Sequence, residues 1–332
     1  MRASVCLCTY NGERYLPEQL ESLATQTEQP FELLVADDGS TDATPTLVEA
    51  FARHAPFPVE LVRNKERRGP AASLEGLLEK AAGDIILPCD QDDRWMPDKI
   101  AFLARRLEEV GGPLAAVCNS LFVDDEGRGI GGSLFERMRV DAGTIHLLSV
   151  PSSAGFLEIV RRDMIASHAI CLKREALVQV LPFGYRWHAD WWMALVLSAT
   201  SGLALVDRPL VAYRLHEGNT VGMRDGRPLF ERVTQHDAER FGSRAELLAA
   251  ALERVSELAP GVVTDETRTA VLARVAHLRA RGSLPARKRG KRLGTVVREL
   301  SSGRYGHFSN GWKSALADLL RESERLEPRR DQ

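Results

Sequence analysis

The first 120 residues alternate four times between short apolar runs and amphipathic segments, and that alternation leaves few architectures open. Ala3 to Cys8, Phe31 to Ala36, Val59 to Arg63, Ile85 to Leu87 and Leu114 to Ser120 read as buried strands. Between them, apolar residues recur at helical spacing: Leu16, Leu20, Leu23 and Ala24; Leu47, Val48 and Phe51; Leu74, Leu77, Leu78 and Ala81; Ile100, Leu103, Ala104, Leu107 and Val110. Repeats of this kind bury both faces of a sheet under helices. The expected class is α/β, a mostly parallel, doubly wound sheet.

In such a sheet, ligands bind in the crevice beyond the carboxyl ends of the strands. Three predicted strand ends carry polar residues. The first ends in Thr9-Tyr10-Asn11-Gly12, the second in Asp37-Asp38-Gly39-Ser40-Thr41-Asp42, and the fourth in a turn holding Asp90, Asp92 and Asp93. Three carboxylates in four residues repel one another unless something positive sits among them, and a hard divalent cation with oxygen ligands meets that need. The alternative is an acidic, solvated turn ahead of the helix that starts near Pro97. For Asp37-Asp38 the alternative is turn and helix-cap chemistry, which Asp42 fits better. Gathering of the strand ends at one edge favours the metal.

The chain has 332 residues, enough for one or two domains, with 44% hydrophobic and 27% charged residues. Its net charge of −2 provides no global field that selects nucleic acid. The five cysteines include no C-x-x-C pair, and most lie in strand-like runs, so reduced buried thiols of a cytoplasmic protein are expected. Met1-Arg2 runs directly into the first strand without a signal-peptide pattern, and no run of about 18 apolar residues is present.

Beyond residue 120 the alternation fades. Gly127-x-Gly129-x-Gly131-Gly132 follows acidic residues rather than a strand and opens no helix, so it reads as a hairpin or loop, not a dinucleotide fingerprint. Ile170 to Leu172, Leu203 to Val206 and Leu210 to Tyr213 read as short strands, and Met193 to Ala199 as an apolar helix. From Leu229 helical spacing dominates. The expected organisation is a domain over 1–228, with a nucleotide-binding half at 1–120 and an acceptor-side half at 121–228, then a helical region over 229–332.

Five segments in order carry a resemblance: Thr9-Tyr10-Asn11-Gly12-Glu13-Arg14-Tyr15-Leu16, Asp37 to Asp42, Asp90-Gln91-Asp92-Asp93-x-Trp95-x-Pro97, Asp190-Trp191-Trp192, and Tyr213-Arg214-x-His216-x-x-Asn219. Over about residues 3 to 222 the chain resembles the family 2 glycosyltransferases of the GT-A fold, and its Asp-Gln-Asp-Asp-x-Trp segment is similar to the bacterial rhamnosyltransferase-like branch. The resemblance implies a nucleoside-diphosphate sugar as donor, a dTDP- or UDP-sugar such as dTDP-rhamnose, and a glycan or lipid-linked acceptor in cell-surface polysaccharide synthesis. It implies Mg2+ or Mn2+, with Asp92 and His216 as ligands, Asp90 near the ribose and Asp93 in support. Thr9, Tyr10, Asn11, Glu13, Asp38 and Gln91 are implied on the nucleotide side, Tyr10 stacking on a base and Asp38 accepting an imide N–H. Asp190 is implied as the base that takes the acceptor's proton in an inverting transfer. His168, Trp191 and Trp192 are expected near the acceptor, with one tryptophan on sugar and the other in the helix core. Many relatives have His-Asp-Trp where this chain has His188-Ala189-Asp190-Trp191, which puts the role of His188 in doubt.

The basic stretch 287–292 reads either as a solvated helix face or as a contact with an anionic inner leaflet, and the helical tail offers a route to a homo-oligomer. Two other functions stay in view. A nucleotidyltransferase would carry a Gly-rich, Lys/Arg-bearing phosphate loop after its first strand, which Thr9 to Glu13 does not supply. A non-catalytic sugar-nucleotide-binding protein on the same fold is disfavoured by the joint presence of Asp92, Asp190 and His216.

Overall fold

Strand β1 (Ala3–Thr9) is buried along nearly its whole length, and the sheet is built outward from it. A computed structural model of the protein describes residues 1–108, 112–184, 188–216, 238–284 and 289–320. Val110, Arg186, Trp187, Asn219, Leu229 and positions 287–288 of the sequence reading lie outside these residues.

The chain then runs through α1 (Leu16–Ala24), β2 (Glu32–Asp37), α2 (Thr44–Ala52), β3 (Val59–Arg63), α3 (Pro70–Lys80) and β4 (Ile85–Asp90). These four strands are parallel in the order β3-β2-β1-β4. The order reverses at β1, so the crevice for a ligand opens between the ends of β1 and β4. A two-residue strand that the sequence reading missed, β5 (Arg94–Trp95), follows, then α4 (Lys99–Leu107) and β6 (Ala115–Val123). The glycine-rich segment forms a hairpin strand, β7 (Gly129–Ser133), antiparallel to β6.

Short helices α5 (Leu134–Met138), α6 (Ala142–Leu148) and α7 (Ser153–Arg161) lead to β8 (Ile170–Lys173), α8 (Leu177–Val180), α9 (Ala189–Thr200) and β9 (Ala204–Arg214). The sheet continues β4-β8-β6-β9-β5, with β8 antiparallel to both neighbours and β9 parallel to β6. The two short strands expected at 203–206 and 210–213 are therefore one strand. Its pairing with β6 steps from Cys118↔Val206 to Asn119↔Pro209, a bulge that accommodates a proline without an amide donor.

All five cysteines are free thiols, four of them buried, as the strand pattern predicts. Burial pushes the Cys6 and Cys171 thiols far up, so they pack as small apolar groups.

The chain divides into two compact units, one of 1–223 with 254–262, the other of 224–253 with 263–332. Helix α10 (Ala238–Leu258) thus gives its last residues to the first unit, rather than falling wholly in a region beyond 228. The second unit also contains α11 (Asp265–Gly282), α12 (Arg289–Ser301), α13 (Arg304–Phe308) and α14 (Trp312–Leu320). Leu284, Val296, Tyr305 and Ala315 form its small apolar core. Beside that core, His277 bonds Glu299 and Ser309 (3.0 Å each) and Arg281 forks onto Asp318 (2.7 and 3.2 Å). No described helix is long and apolar enough to cross a membrane.

Candidate active site

The ends of β1 and β4 are clamped together by one side chain. Gln91 accepts from the Tyr10 N–H (2.9 Å) and donates to the Tyr10 carbonyl (3.0 Å). Gly12 makes room for it: a Cβ there would lie 2.1 Å from Gln91 Oε1. Asn11, at φ 46°, ties the loop to the end of β2, taking a bond from the Thr41 N–H and giving one to Ser40 Oγ (2.9 Å each). Glu13 accepts from the Ala43 N–H (2.9 Å), and Thr9 Oγ1 donates to Asp37 (3.3 Å). Thr9, Asn11, Glu13 and Gln91 therefore hold the crevice in shape.

Asp38 is more committed than expected. Its Oδ1 accepts from the Arg68 N–H (2.7 Å), Asn64 Nδ2 (3.0 Å) and Ser73 Oγ (3.3 Å), and its Oδ2 from the Gly69 N–H (2.9 Å). These donors hold its carboxyl below the usual range against the opposing effect of burial. With one donor, Oδ2 keeps acceptor capacity for an imide N–H. The loop that Asp38 pins carries Arg67, whose guanidinium lies 3.9 Å over the Tyr10 ring, on one face of the expected base platform.

The acidic turn is drawn across the sheet by β5. Pairing of Arg94 with Ala212 and Trp95 with Val211 sets Asp92 against Arg214, at the end of β9. Arg214 donates to the Asp92 carbonyl through Nε (2.9 Å) and to Asp93 Oδ1 through its N–H (3.1 Å), and its guanidinium also reaches Glu18 and the Asp125 carbonyl. Two residues further, His216 Nε2 lies 2.9 Å from Asp92 Oδ2, its ring beside Tyr15. The two expected metal ligands thus meet.

Beneath them, Asp90, Asp93 and His168 present donor atoms all within 4.8 Å of one another. Asp93 is fully buried and its Oδ2 has no hydrogen-bond partner among the described residues. Burial, then Asp92 and Asp90, push its carboxyl well above the ordinary range. A buried orphan oxygen among carboxylates and imidazoles fits a divalent cation.

Lys99, missed in the sequence, places a buried amine beneath the acids, its pKa lowered by burial and held up in part by Asp93. It is buried, donates to the His168 carbonyl (2.6 Å) and lies over the Trp95 ring. Its signal was present: Lys99 shares the buried face of Leu103 and Leu107 at i, i+4 and i+8.

The acceptor-side expectations change. His168 is buried, bonded to Ser120 Oγ (2.9 Å) and stacked on Tyr213, with Nδ1 3.4 Å from Asp93 Oδ2; it belongs under the acidic turn. Trp191 and Trp192 are 1% and 2% exposed, and their indole N–H groups donate to the Ile159 and Val180 carbonyls (2.8 and 2.7 Å). Both are core, because an indole buried in a helix packed on α7 and α8 must satisfy its N–H internally. Neither presents a face to sugar. His188 precedes α9 in the left-handed region, φ 61°, and starts the helix.

Asp190 opens α9 as a partly exposed carboxylate, and Oδ1 accepts from the Trp191 N–H (2.8 Å). Burial first, then the charges of Asp163 and Asp90, raise it to about 7. Asp163 carried no signal in the sequence.

Residues 4–165 match the model of a family described as Glycosyl transferase family 2. EpsE of Bacillus subtilis is 37% identical over 108 residues, 31% of this chain and 39% of EpsE. An uncharacterized glycosyltransferase of Haemophilus influenzae is 25% identical over 217 residues, 65% of this chain and 66% of that protein. The match to the first of these relatives thus spans about two-fifths of its length. Among solved structures, S. aureus TarS with UDP-GlcNAc aligns over 96% of this chain and 90% of that one, at 20% identity and a TM-score of 0.55. Mannosyltransferase PcManGT from Pyrobaculum calidifontis, with GDP-Man and Mn2+, aligns over 98% and 88%, at 19% identity and a TM-score of 0.51. The shared architecture is the GT-A fold.

Proposed function

We propose that the chain, whose residues 4–165 match the Glycosyl transferase family 2 model, is an inverting, metal-dependent glycosyltransferase of that family. The donor is a nucleoside-diphosphate sugar, a dTDP- or UDP-sugar with dTDP-rhamnose the first to test. The acceptor is a hydroxyl of a glycan or lipid-linked sugar in cell-surface polysaccharide synthesis. The nucleotide sugars bound to TarS and PcManGT support the donor class. The observation that carries the reading is the pairing of Asp92 with His216, 124 residues apart in the chain.

Asp92 and His216, with Asp90 and Asp93 behind them, are the residues that would hold the cation. When bound, it neutralises charge on the leaving diphosphate. Imidazole donors among the carboxylates favour Mn2+ over Mg2+. Gln91 and Asn11 keep the nucleotide crevice in shape, and Asp38 Oδ2 accepts the pyrimidine imide. Asp190 removes the acceptor proton: a carboxyl raised to about 7 is partly ionised at neutral pH and basic enough to take one. A single base is sufficient, because the leaving group departs as an anion that needs no proton.

A thermal-shift screen of nucleotide sugars with and without Mn2+ tests the reading. The cognate donor at 100-fold its dissociation constant should add about 2.7 kcal/mol of stability, mostly in the presence of metal. No shift with any nucleotide sugar in either condition would overturn it.

A further inference from the structure

The glycine-rich segment that fails as a dinucleotide fingerprint begins in a tight turn between β6 and β7, and that turn is fixed from within. Asp124 Oδ1 accepts from the Glu126 and Arg128 N–H groups (3.1 and 2.8 Å), and the Gly127 N–H donates to the Asp124 carbonyl (3.0 Å). Gly127 stands at φ 77°, where a side chain is strained, and a Cβ there would come within 3.3 Å of Arg214 Nη1. Arg214 in turn donates to the Asp124 and Asp125 carbonyls (3.3 and 2.9 Å). The turn is thus a braced post beside the end of β9.

From its tip, Asp125 reaches the residues that lead into α1. One carboxylate oxygen accepts from Tyr15 Oη and the other from the Arg14 guanidinium (2.5 Å). The Tyr15 ring, anchored in this way, lies 4.7 Å from the His216 imidazole, centroid to centroid, at a 39° tilt. The backbone of His216 follows a fixed residue, since the Leu215 N–H donates to the Val123 carbonyl at the end of β6 (2.9 Å). What remains to be set is the direction of the ring. Its bond to Asp92 Oδ2 uses the two atoms that a shared cation would need, so that bond cannot also aim the imidazole for the cation. The aim has to come from a contact that an ion leaves alone, and the Tyr15 ring provides one.

We propose that Tyr15 is a positioning residue for His216, and that the β6–β7 turn holds Tyr15 in place through Asp125. The proposal rests on the reading of Asp92 and His216 as metal ligands. A tyrosine that merely packs would lower stability when truncated and leave metal affinity alone.

The experiment is titration of the full, metal-free chain with Mn2+ alone, followed by EPR, with melting temperatures measured on the same variants. Tyr15→Leu should weaken Mn2+ binding about tenfold, the usual scale for losing a group that orients a ligand. It should also diminish the imidazole nitrogen modulation in the pulsed EPR spectrum. Tyr15→Phe and Asp125→Ala should each weaken binding severalfold, and the double variant should be no weaker than either alone, because both remove the same bond. Glu126→Ala removes an equal charge from the same turn without touching Tyr15, and should leave the affinity unchanged. His216→Ala is the reference: if it binds Mn2+ as tightly as the wild type, or the wild type binds none, the ligand reading falls and the proposal with it. If His216→Ala weakens binding while the Tyr15 and Asp125 variants do not, whatever their melting temperatures, the positioning proposal alone is overturned. Equal losses from Glu126→Ala and Asp125→Ala would also overturn it, in favour of a general effect of charge.

Discussion

Asp190 shows how one residue's surroundings decide its chemistry. An exposed aspartate is a poor base at neutral pH, but burial and the charges of Asp163 and Asp90 raise this one from 3.8 to about 7. Between those two values the native protein holds a proton that the unfolded chain has released. Stability therefore falls as pH rises through that window, and the ionised group destabilises the fold above about 7. Asp190→Asn should lower kcat/KM by about 10² to 10⁴ and abolish the acidic limb of the pH–rate profile. The same variant should melt higher than wild type at pH 8, which differential scanning calorimetry would show. Asp163→Asn removes a repelling charge, so the acidic limb of an otherwise active enzyme should move to lower pH. An unmoved limb would mean that Asp163 does not act on the base.

At the scale of elements, the site depends on two small devices. One is the Gln91 amide that clamps β1 to β4 through Tyr10, with Gly12 left bare to admit it. Gly12→Ala should push that amide off the Tyr10 backbone and cost about 1–3 kcal/mol in urea denaturation. In a Gln91→Ala background the same change should cost less than about 1 kcal/mol, because the clash has gone. Equal costs in both backgrounds would count against the clamp. The other device is β5, whose two residues pair with β9 and bring Asp92 to Arg214 and His216. Helix periodicity and the long strands were legible in the sequence because each buries one coherent face. A two-residue strand has no periodicity to read, and it exists only because β9 offers a free edge.

For the whole molecule, the division of the chain does not follow the change in composition near residue 229. Arg254 donates to the Val178, Gln179 and Leu181 carbonyls (3.0 Å each), and Ser153 Oγ donates to the Val262 carbonyl. Truncation after residue 228 takes the partner from the Val178, Gln179 and Leu181 carbonyls and from the Ser153 hydroxyl, so a chain ending there should be less stable than one ending after 262 by several kcal/mol. Chemical denaturation of the two would measure it, and equal stabilities would show that 254–262 contribute nothing to the first unit.

By itself the sequence determined the alternating α/β architecture, the reduced thiols, and the polar strand ends where a ligand would bind, since these follow from local patterning and from the rule for open parallel sheets. It also marked Asp92, Asp190 and His216, through motifs that survive as short strings. Only the tertiary structure decided which groups share an environment. It buried Trp191, Trp192 and His168, left Asp93 Oδ2 without a hydrogen-bond partner among the described residues, spent most of Asp38 on its own loop, and placed Lys99 beneath the acids and Asp163 near Asp190. The reason is physical: burial, electrostatic fields and hydrogen-bond satisfaction depend on neighbours tens to hundreds of residues away, which no local pattern encodes.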